Sequence, residues 1–521
     1  MTMLGSIDTT RSTDRRDEQP LDGRTTTVVG GGFGGLATAC YLAADGADVT
    51  LLERHDELGG VAGRIETDGF RIDTGPSWYL MPDTFERFFS HFDRHPEEYY
   101  DLTRLDPHYR IFWKDGDRVD VPDDPEAVAG LFESYEAGAG DAFRSYLEEA
   151  EHAYDIGVEE FVYRDRSRLR DCIDPRLARA AGGVTLLDSM QEYVSDCFDH
   201  PKLQQLVQYS LVFLGGAPHN TPAIYTLMSH VDFNLGVYHP TGGIASVVDG
   251  IAELATELGV DIETGCEVTG LDPGGDGIGV TARGGRKQAD TVVANANPYH
   301  VGRDLLPEGR REYDDDYWDS RTYAPSAFLM YLGVEGDAEP LEHHTLVLPT
   351  DWDAHFEAIF EDPAWPEDPA YYVNVPSRTD PTMAPEGHEA VVVLVPIAAG
   401  LSDDEATRER FRDKVLDDLE AHTGADLRDR IVLERSACVS EFGERFGAPR
   451  GTALGLAHTL RQTGPFRPSI RSSAAESLYY TGAYTSPGIG MPMCLVSGQH
   501  TAAAVRDDAT PGAVSRLLGR E

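Results

Sequence analysis

Apolar positions along this chain recur with two periods, and each change of period marks an element. Residues 26–29 are a short β-rich run, after which Leu36, Ala39, Cys40 and Ala43 keep the i, i+3, i+4, i+7 spacing of one helical face. Gly46 suits the C-terminal cap of that helix, and residues 48–52 alternate into a second strand that ends at Glu53. Farther on, residues 109–113 predict the first arm of a hairpin turning at Lys114-Asp115-Gly116. Helical spacing returns in Val128, Leu131, Phe132 and Tyr135, again in Phe143, Leu147, Ala150 and Tyr154, and persists to about Val231. A further helix runs through Ser246, Val247, Ile251 and Leu254, with short strands expected at 260–264, 267–271 and 291–294. Residues 328–332 and 391–395 read as buried strands, and 403–422 as an amphipathic helix presenting Phe411, Val415 and Leu419. The last element is an Ala-rich helix from about 493 to 505, with Pro492 placed where a missing N–H costs nothing.

The junction between the first strand and its helix carries G-x-G-x-x-G at Gly30, Gly32 and Gly35. The first glycine permits a tight turn, the second lets the backbone approach a pyrophosphate, and the third lets helix and strand pack closely. The helix N-terminus offers N–H groups and a positive dipole end to the phosphates. Glu53 can accept hydrogen bonds from both ribose hydroxyls, and an acid there selects FAD or NAD over NADP. After it come Gly59-Gly60-Val61-Ala62-Gly63-Arg64 and then Phe70-Arg71-Ile72-Asp73-Thr74-Gly75-Pro76. This G-G-x-x-G-R continuation resembles FAD-containing oxidoreductases of the glutathione-reductase-like, amine-oxidase-like type. In that type it wraps the pyrophosphate and leads to the flavin ring, so FAD is the expected cofactor. Near the C-terminus a Gly- and Pro-dense loop, residues 482–492, opens the final helix. A helix N-terminus aimed at the flavin N1–C2=O edge stabilises the negative charge that arrives there on reduction.

Composition narrows the class. The chain of 521 residues is long enough for two or three domains. The expected plan is α/β: an FAD-binding Rossmann domain assembled from three segments, a β-sheet substrate domain and a helical subdomain. Its divisions are a disordered leader 1–23, FAD-binding segments 24–89, 240–297 and 469–513, a hairpin and helical substrate or membrane subdomain 90–239, and a substrate domain 298–468. Acidic residues number 90 against 44 basic ones, for a net charge of −46, and only four of the cations are lysine (Lys114, Lys202, Lys287, Lys414). The acid is spread along the chain, which describes a solvated surface adapted to a high-salt cytoplasm, where a Debye length of ~3 Å at molar salt removes most self-repulsion. Nucleic-acid binding is excluded by that charge. Six scattered cysteines without C-x-x-C read as buried free thiols in a reducing compartment. The polar N-terminus lacks a signal-peptide pattern, and no apolar run approaches the ~20 residues that span a bilayer. Residues 205–239 are unusually apolar and aromatic, either as core or as the wall of an apolar substrate tunnel.

With these segments placed, the chain resembles the bacterial-type phytoene desaturases, FAD-dependent enzymes of carotenoid synthesis, over almost its whole length after the leader. The markers are residues 70–76, His239-Pro240-Thr241-Gly242-Gly243, His343-His344-Thr345, Asp380 to Gly387, and the G-A-x-T-x-P-G-x-G-x-P loop with Ala483 in place of an acid. Val61 and Ser486 depart from the family pattern, which has a basic residue and a His there. The resemblance implies hydride transfer from a C40 isoprenoid C–C bond to flavin N5. The implied cofactor-binding residues are Gly30, Gly32, Gly34, Gly35, Glu53, Arg54, Gly59, Gly60, Arg64, Gly75, Pro76, Val268 (against the adenine), Gly482, Ala483, Gly490, Met491 and Pro492. No catalytic base is nominated: Asp73 and Glu386 read as turn-holding acids. His91 and His95 read as a solvated helix face rather than a metal pair. The substrate implies peripheral docking on the inner face of the cell membrane, through an apolar patch expected within 205–239. A carotenoid 3,4-desaturase or cis–trans isomerase on the same fold is the nearest alternative, and a non-catalytic isoprenoid carrier the alternative from another class.

Overall fold

Strand, glycine turn, helix and strand in succession build a parallel sheet, because a right-handed crossover must bring the second strand back beside the first. The computed structural model describes residues 19–164, 188–275, 277–459 and 461–509. Most of the expected leader (1–18) and part of the expected helical stretch (165–187) lie outside the described residues. The sheet contains β1 (Thr25–Val29), β2 (Asp48–Leu52), β3 (Asp261–Glu263), β4 (Thr291–Ala294) and β5 (Leu478–Tyr480), in the order β5-β4-β1-β2-β3. Every pairing is parallel, with Val28 opposite Val293 on one side and Leu51 on the other. Three distant parts of the chain therefore meet in one layer.

The helices α1 (Phe33–Ala44), α2 (Ile244–Glu257) and α3 (Met491–Ala509) complete this unit. The expected single apolar face of α1 is too modest: every residue from Phe33 to Leu42 is buried. The reason is that α2 and α3 both pack on α1 while its remaining side lies on the sheet. Small residues set the spacing, since a Cβ added at Gly498 of α3 would stand 2.8 Å from Ala37 Cβ. Gly46 follows the helix at φ +96°, as a C-terminal cap requires. The leader ends earlier than expected: residues 19–23 form a turn, with Leu21 buried and its N–H donated to Asp45 O at 3.0 Å.

A second, seven-stranded sheet runs Ile431–Ala437, Ser326–Glu335, His388–Ile397, Tyr371–Asn374, His344–Leu348, Tyr109–Trp113 and Arg118–Val121. The hairpin predicted at 109–113 forms, but in this sheet rather than as part of a separate helical unit, with Ile111 paired in parallel beside Leu346. An isolated hairpin is marginal in water, and this one buries Ile111 and Trp113 by joining a larger layer. The strand expected at 267–271 likewise leaves the nucleotide sheet. As Val268–Gly274 it pairs antiparallel in a three-stranded sheet with Gly277–Ala282, itself beside Gly285–Ala289. The helix at Glu405–Thr423 buries Phe411, Val415 and Leu419 as its spacing predicts. Residues 205–239 are internal. His219 and Asn220 are the only exposed side chains described there, so the apolar character serves core and cavity, and the expected docking patch is not on this stretch.

Candidate functional site

The glycine turn is shaped by contacts that admit no side chain. A Cβ at Gly35 would lie 2.0 Å from Gly30 O, so the third glycine brings α1 against the end of β1. A Cβ at Gly34 would meet Asn295 Oδ1 at 2.7 Å and Gly482 Cα at 2.8 Å, which places the C-terminal loop directly on the turn. Glu53 is buried, and its carboxylate accepts from Gly31 N (2.7 Å) and His55 N (2.9 Å), which fixes it at the end of β2. Residues 59–62 dock alongside through Gly59 N to Gly31 O at 2.9 Å.

A cavity of about 1180 Å³ begins at this turn. Of the residues expected from the sequence, Gly30, Gly32, Gly34, Glu53, Arg54, Gly59, Gly60, Gly75, Pro76, Val268, Ala483, Gly490, Met491 and Pro492 all line it. Gly35, Arg64 and Gly482 are outside its lining: Gly35 and Gly482 are packing positions behind the wall. Arg64 is paired instead with Asp249 at 2.6 Å and Glu66 at 3.2 Å. From the turn the cavity continues between the two sheets along an apolar wall that includes Leu227, Met228, Val231, Leu346, Leu348 and Phe356. Tyr209, Val212, Leu214 and Tyr225 from the aromatic stretch also contribute.

The chain matches the model of the flavin containing amine oxidoreductases over residues 33–506. It is 60% identical over 490 residues to the carotenoid 3,4-desaturase of Haloarcula japonica, covering 94% of this chain and 99% of that one. It is 34% identical over 487 residues to the zeta-carotene-forming phytoene desaturase of Myxococcus xanthus, covering 92% and 93%. The chain belongs to the flavin-containing amine oxidoreductases, in their carotenoid-desaturase branch. Among solved structures, an engineered putrescine oxidase superposes with a TM-score of 0.59 at 17% identity, covering 93% of this chain and 99% of that one. A Methanosarcina mazei oxidoreductase gives 0.59 at 16%, covering 92% and 100%, and both likenesses establish the fold.

The protein is an FAD-dependent oxidoreductase. Its cavity fits that cofactor on its own chemistry: Gly32 precedes α1 and offers no capping side chain to its first N–H groups, and Gly32, Phe33 and Gly34 all line the cavity. Beside the turn, at the end of β2, the buried Glu53 carboxylate supplies an acceptor.

Sequence reasoning missed the residues that hold the C-terminal loop. The buried Arg467 guanidinium donates to Ala483 O (2.7 Å), Leu456 O (3.3 Å) and Gln462 O (3.3 Å), and burial lowers its pKa to about 10. His458 Nε2 accepts from Ile489 N at 3.0 Å, which leaves its proton on Nδ1, 2.9 Å from the Tyr225 hydroxyl. Burial first, and Arg467 second, hold that imidazole well below its ordinary range. Neither residue stands in a motif, so only their convergence on 482–492 reveals them.

The scattered family markers also converge. Asp73 accepts from Ile244 N (2.8 Å) and Ala245 N (3.2 Å) at the start of α2, and a Cβ at Gly243 (φ +83°) would come within 2.5 Å of its carboxylate. Burial pushes Asp73 up to about 6 against the pull of those two N–H groups. Asp380 accepts from Gly242 N (2.6 Å) and Thr382 N (2.9 Å) and lies 3.4 Å from His239 Nε2. Burial raises its pKa, but these bonds outweigh that and hold it well below the usual carboxylate range. The His239 and His343 rings sit 4.7 Å apart. Asp73 therefore anchors a helix start, while Glu386 is exposed.

Proposed function

We propose that this FAD-dependent carotenoid desaturase oxidises the 3,4 bond of a carotenoid. The observation that carries the reading is 60% identity to a carotenoid 3,4-desaturase over nearly the full length of both chains, against 34% for the phytoene desaturase. In this reading Gly30, Gly32 and Gly34 hold the pyrophosphate, Glu53 the ribose, and Val268 the adenine side. Gly75, Pro76, Ala483 and residues 490–492 hold the ring. Bound FAD supplies a two-electron acceptor able to take hydrogen from a C–H bond that has no polar handle.

The rest falls to the polypeptide. The N-terminus of α3 stabilises negative charge at the ring edge. Arg467 and His458 keep the loop before it in place. The apolar wall binds the hydrocarbon at roughly 25 cal/mol per Å² buried and excludes water. Because such a wall offers little hydrogen bonding, register along it selects the bond. The test is to incubate the holoenzyme in molar KCl with a carotenoid saturated at its 3,4 bond and, separately, with phytoene. Loss of hydrogen from the first alone supports the reading, whereas conversion of phytoene alone identifies a phytoene desaturase.

Peripheral attachment to the inner face of the cell membrane belongs to the same proposal. No helix among the described residues is long and apolar enough to cross a membrane. Val61 and Phe161 line the cavity and are also 42% and 38% exposed, so an apolar rim reaches the surface where an oily substrate can enter. With a net charge of −46, attachment through this rim persists in high salt, and co-sedimentation with liposomes measures it.

A further inference from the structure

One part of the cavity wall is polar. Ser77, Trp78, Tyr209 and Tyr372 line it together, Ser77 directly following the Gly75-Pro76 pair. Behind Tyr209 lies a buried carboxylate, Asp232. The Tyr209 hydroxyl donates to Asp232 Oδ2 at 3.0 Å, and the Tyr109 hydroxyl donates to the same oxygen at 2.8 Å. Asp232 is 4% exposed, and its Oδ1 has no hydrogen-bond partner. His108 Nδ1 stands 3.9 Å away, on a fully buried ring that also makes no hydrogen bond. A π-helical turn at His230–Leu235 carries Asp232, a distortion frequent at functional sites. Burying a carboxylate on two neutral donors is costly, and an apolar residue would pack there more cheaply.

Removing two hydrogens from a C–C bond breaks two C–H bonds. One hydrogen leaves with both electrons to FAD, and the other must leave as a proton while its electron pair becomes the new π bond. We propose that Tyr209 is the catalytic hydroxyl that accepts this proton and that Asp232 is the positioning residue that takes the hydroxyl's own proton in exchange. The inference rests on the carotenoid-desaturase reading. Tyr209 stays neutral, the new O–H bond forms as the old one breaks, and Asp232 becomes a neutral acid. The charge lost there balances the negative charge gained by the reduced cofactor.

A second chain of hydrogen bonds reaches the wall, Ser77 Oγ to Tyr372 Oη at 2.8 Å and Tyr372 Oη to His344 Nδ1 at 2.6 Å. It is the poorer acceptor. His344 is fully buried beside His343, with ring centres 4.6 Å apart, and a proton there creates an unpaired internal cation. A proton on Asp232 instead removes a buried charge, which burial favours. Burial pushes Asp232 up to about 7, with the two tyrosine hydroxyls pulling it down. The titratable groups around it are Tyr109, Tyr209 and His108, with Arg104 beyond His108 and Tyr372 beyond Tyr209.

The test uses holoenzyme in molar KCl and follows carotenoid turnover against pH, together with the infrared stretch of the protonated carboxyl. In the unmodified protein turnover rises as pH increases through about 7, and a carboxyl band disappears with the same midpoint. Asp232→Asn removes the band, flattens the pH profile and slows turnover about 100-fold, and Tyr209→Phe slows it at least as much, with flavin absorbance retained. Tyr109→Phe deletes one donor to the carboxylate and moves both midpoints upward together, which keeps the proposal testable if Asp232→Asn does not fold. Turnover within a few-fold of the unmodified protein in Asp232→Asn or Tyr209→Phe, or a rate midpoint that ignores the carboxyl midpoint in Tyr109→Phe, overturns the proton path but leaves the desaturase reading intact. Failure of the unmodified holoenzyme to convert any carotenoid overturns both.

Discussion

The two ends of the cavity are built on different principles. At the glycine end, specificity is local: Gly30, Gly32 and Gly35 fall within one turn, and Glu53 is one strand away. There the backbone forms the site, and the constraint is steric, since a Cβ at Gly35 would stand 2.0 Å from Gly30 O. At the far end, side chains from both sheets and from the aromatic stretch form the wall, and its few polar contacts join residues far apart in sequence. Tyr109 and Asp232, 123 positions apart, illustrate this. A backbone site tolerates almost no substitution but can be read from spacing. A side-chain wall can be retuned one residue at a time, which suits a family whose members act on different isoprenoids.

Substitutions can separate the two ends. Gly35→Val should be the most damaging, because both neighbouring backbones are fixed: about 3 kcal/mol or more of stability is expected to go, visible as a lower thermal midpoint and loss of flavin absorbance in molar KCl. Glu53→Gln should leave the fold and the apolar wall intact but weaken FAD by roughly 30-fold, about 2 kcal/mol for hydrogen bonds to a charged acceptor, as read by flavin fluorescence titration. Arg467→Gln releases Ala483 O, and a loosening of FAD by roughly tenfold (about 1.4 kcal/mol) is expected, with the pH profile of turnover unchanged. The smallest effect belongs to the rim. Phe161→Asp should weaken liposome co-sedimentation roughly fivefold, about 1 kcal/mol for a half-exposed ring, with FAD binding unaltered. If Glu53→Gln instead changed which carotenoid is oxidised while leaving FAD affinity alone, the division between the two ends would be lost.

The strands flanking the glycine turn, the Gly46 cap, the 109–113 hairpin and the face of the helix at Glu405–Thr423 were all legible in the chain, because each rests on contacts within a few residues. The expected cofactor residues largely share one cavity, although Gly30 to Pro76, Val268 and the residues from Ala483 to Pro492 meet there only through the parallel sheet that joins three distant segments. What stayed hidden has a common cause as well. The hairpin's membership of the seven-stranded sheet depends on an edge supplied by His344–Leu348, more than 200 positions later. Arg467, His458 and Asp232 belong to no spacing pattern, and Asp232 sits in a stretch whose apolar composition suggested core packing, a tunnel wall or docking but no buried acid. By itself the sequence determined a dinucleotide-binding turn, an FAD family and a surface suited to salt, since short-range periodicity and net charge survive without coordinates. Tertiary structure alone decided where the apolar stretch points, which distant groups clamp the C-terminal loop and which buried acid lies behind the cavity wall, because those depend on side chains converging through space.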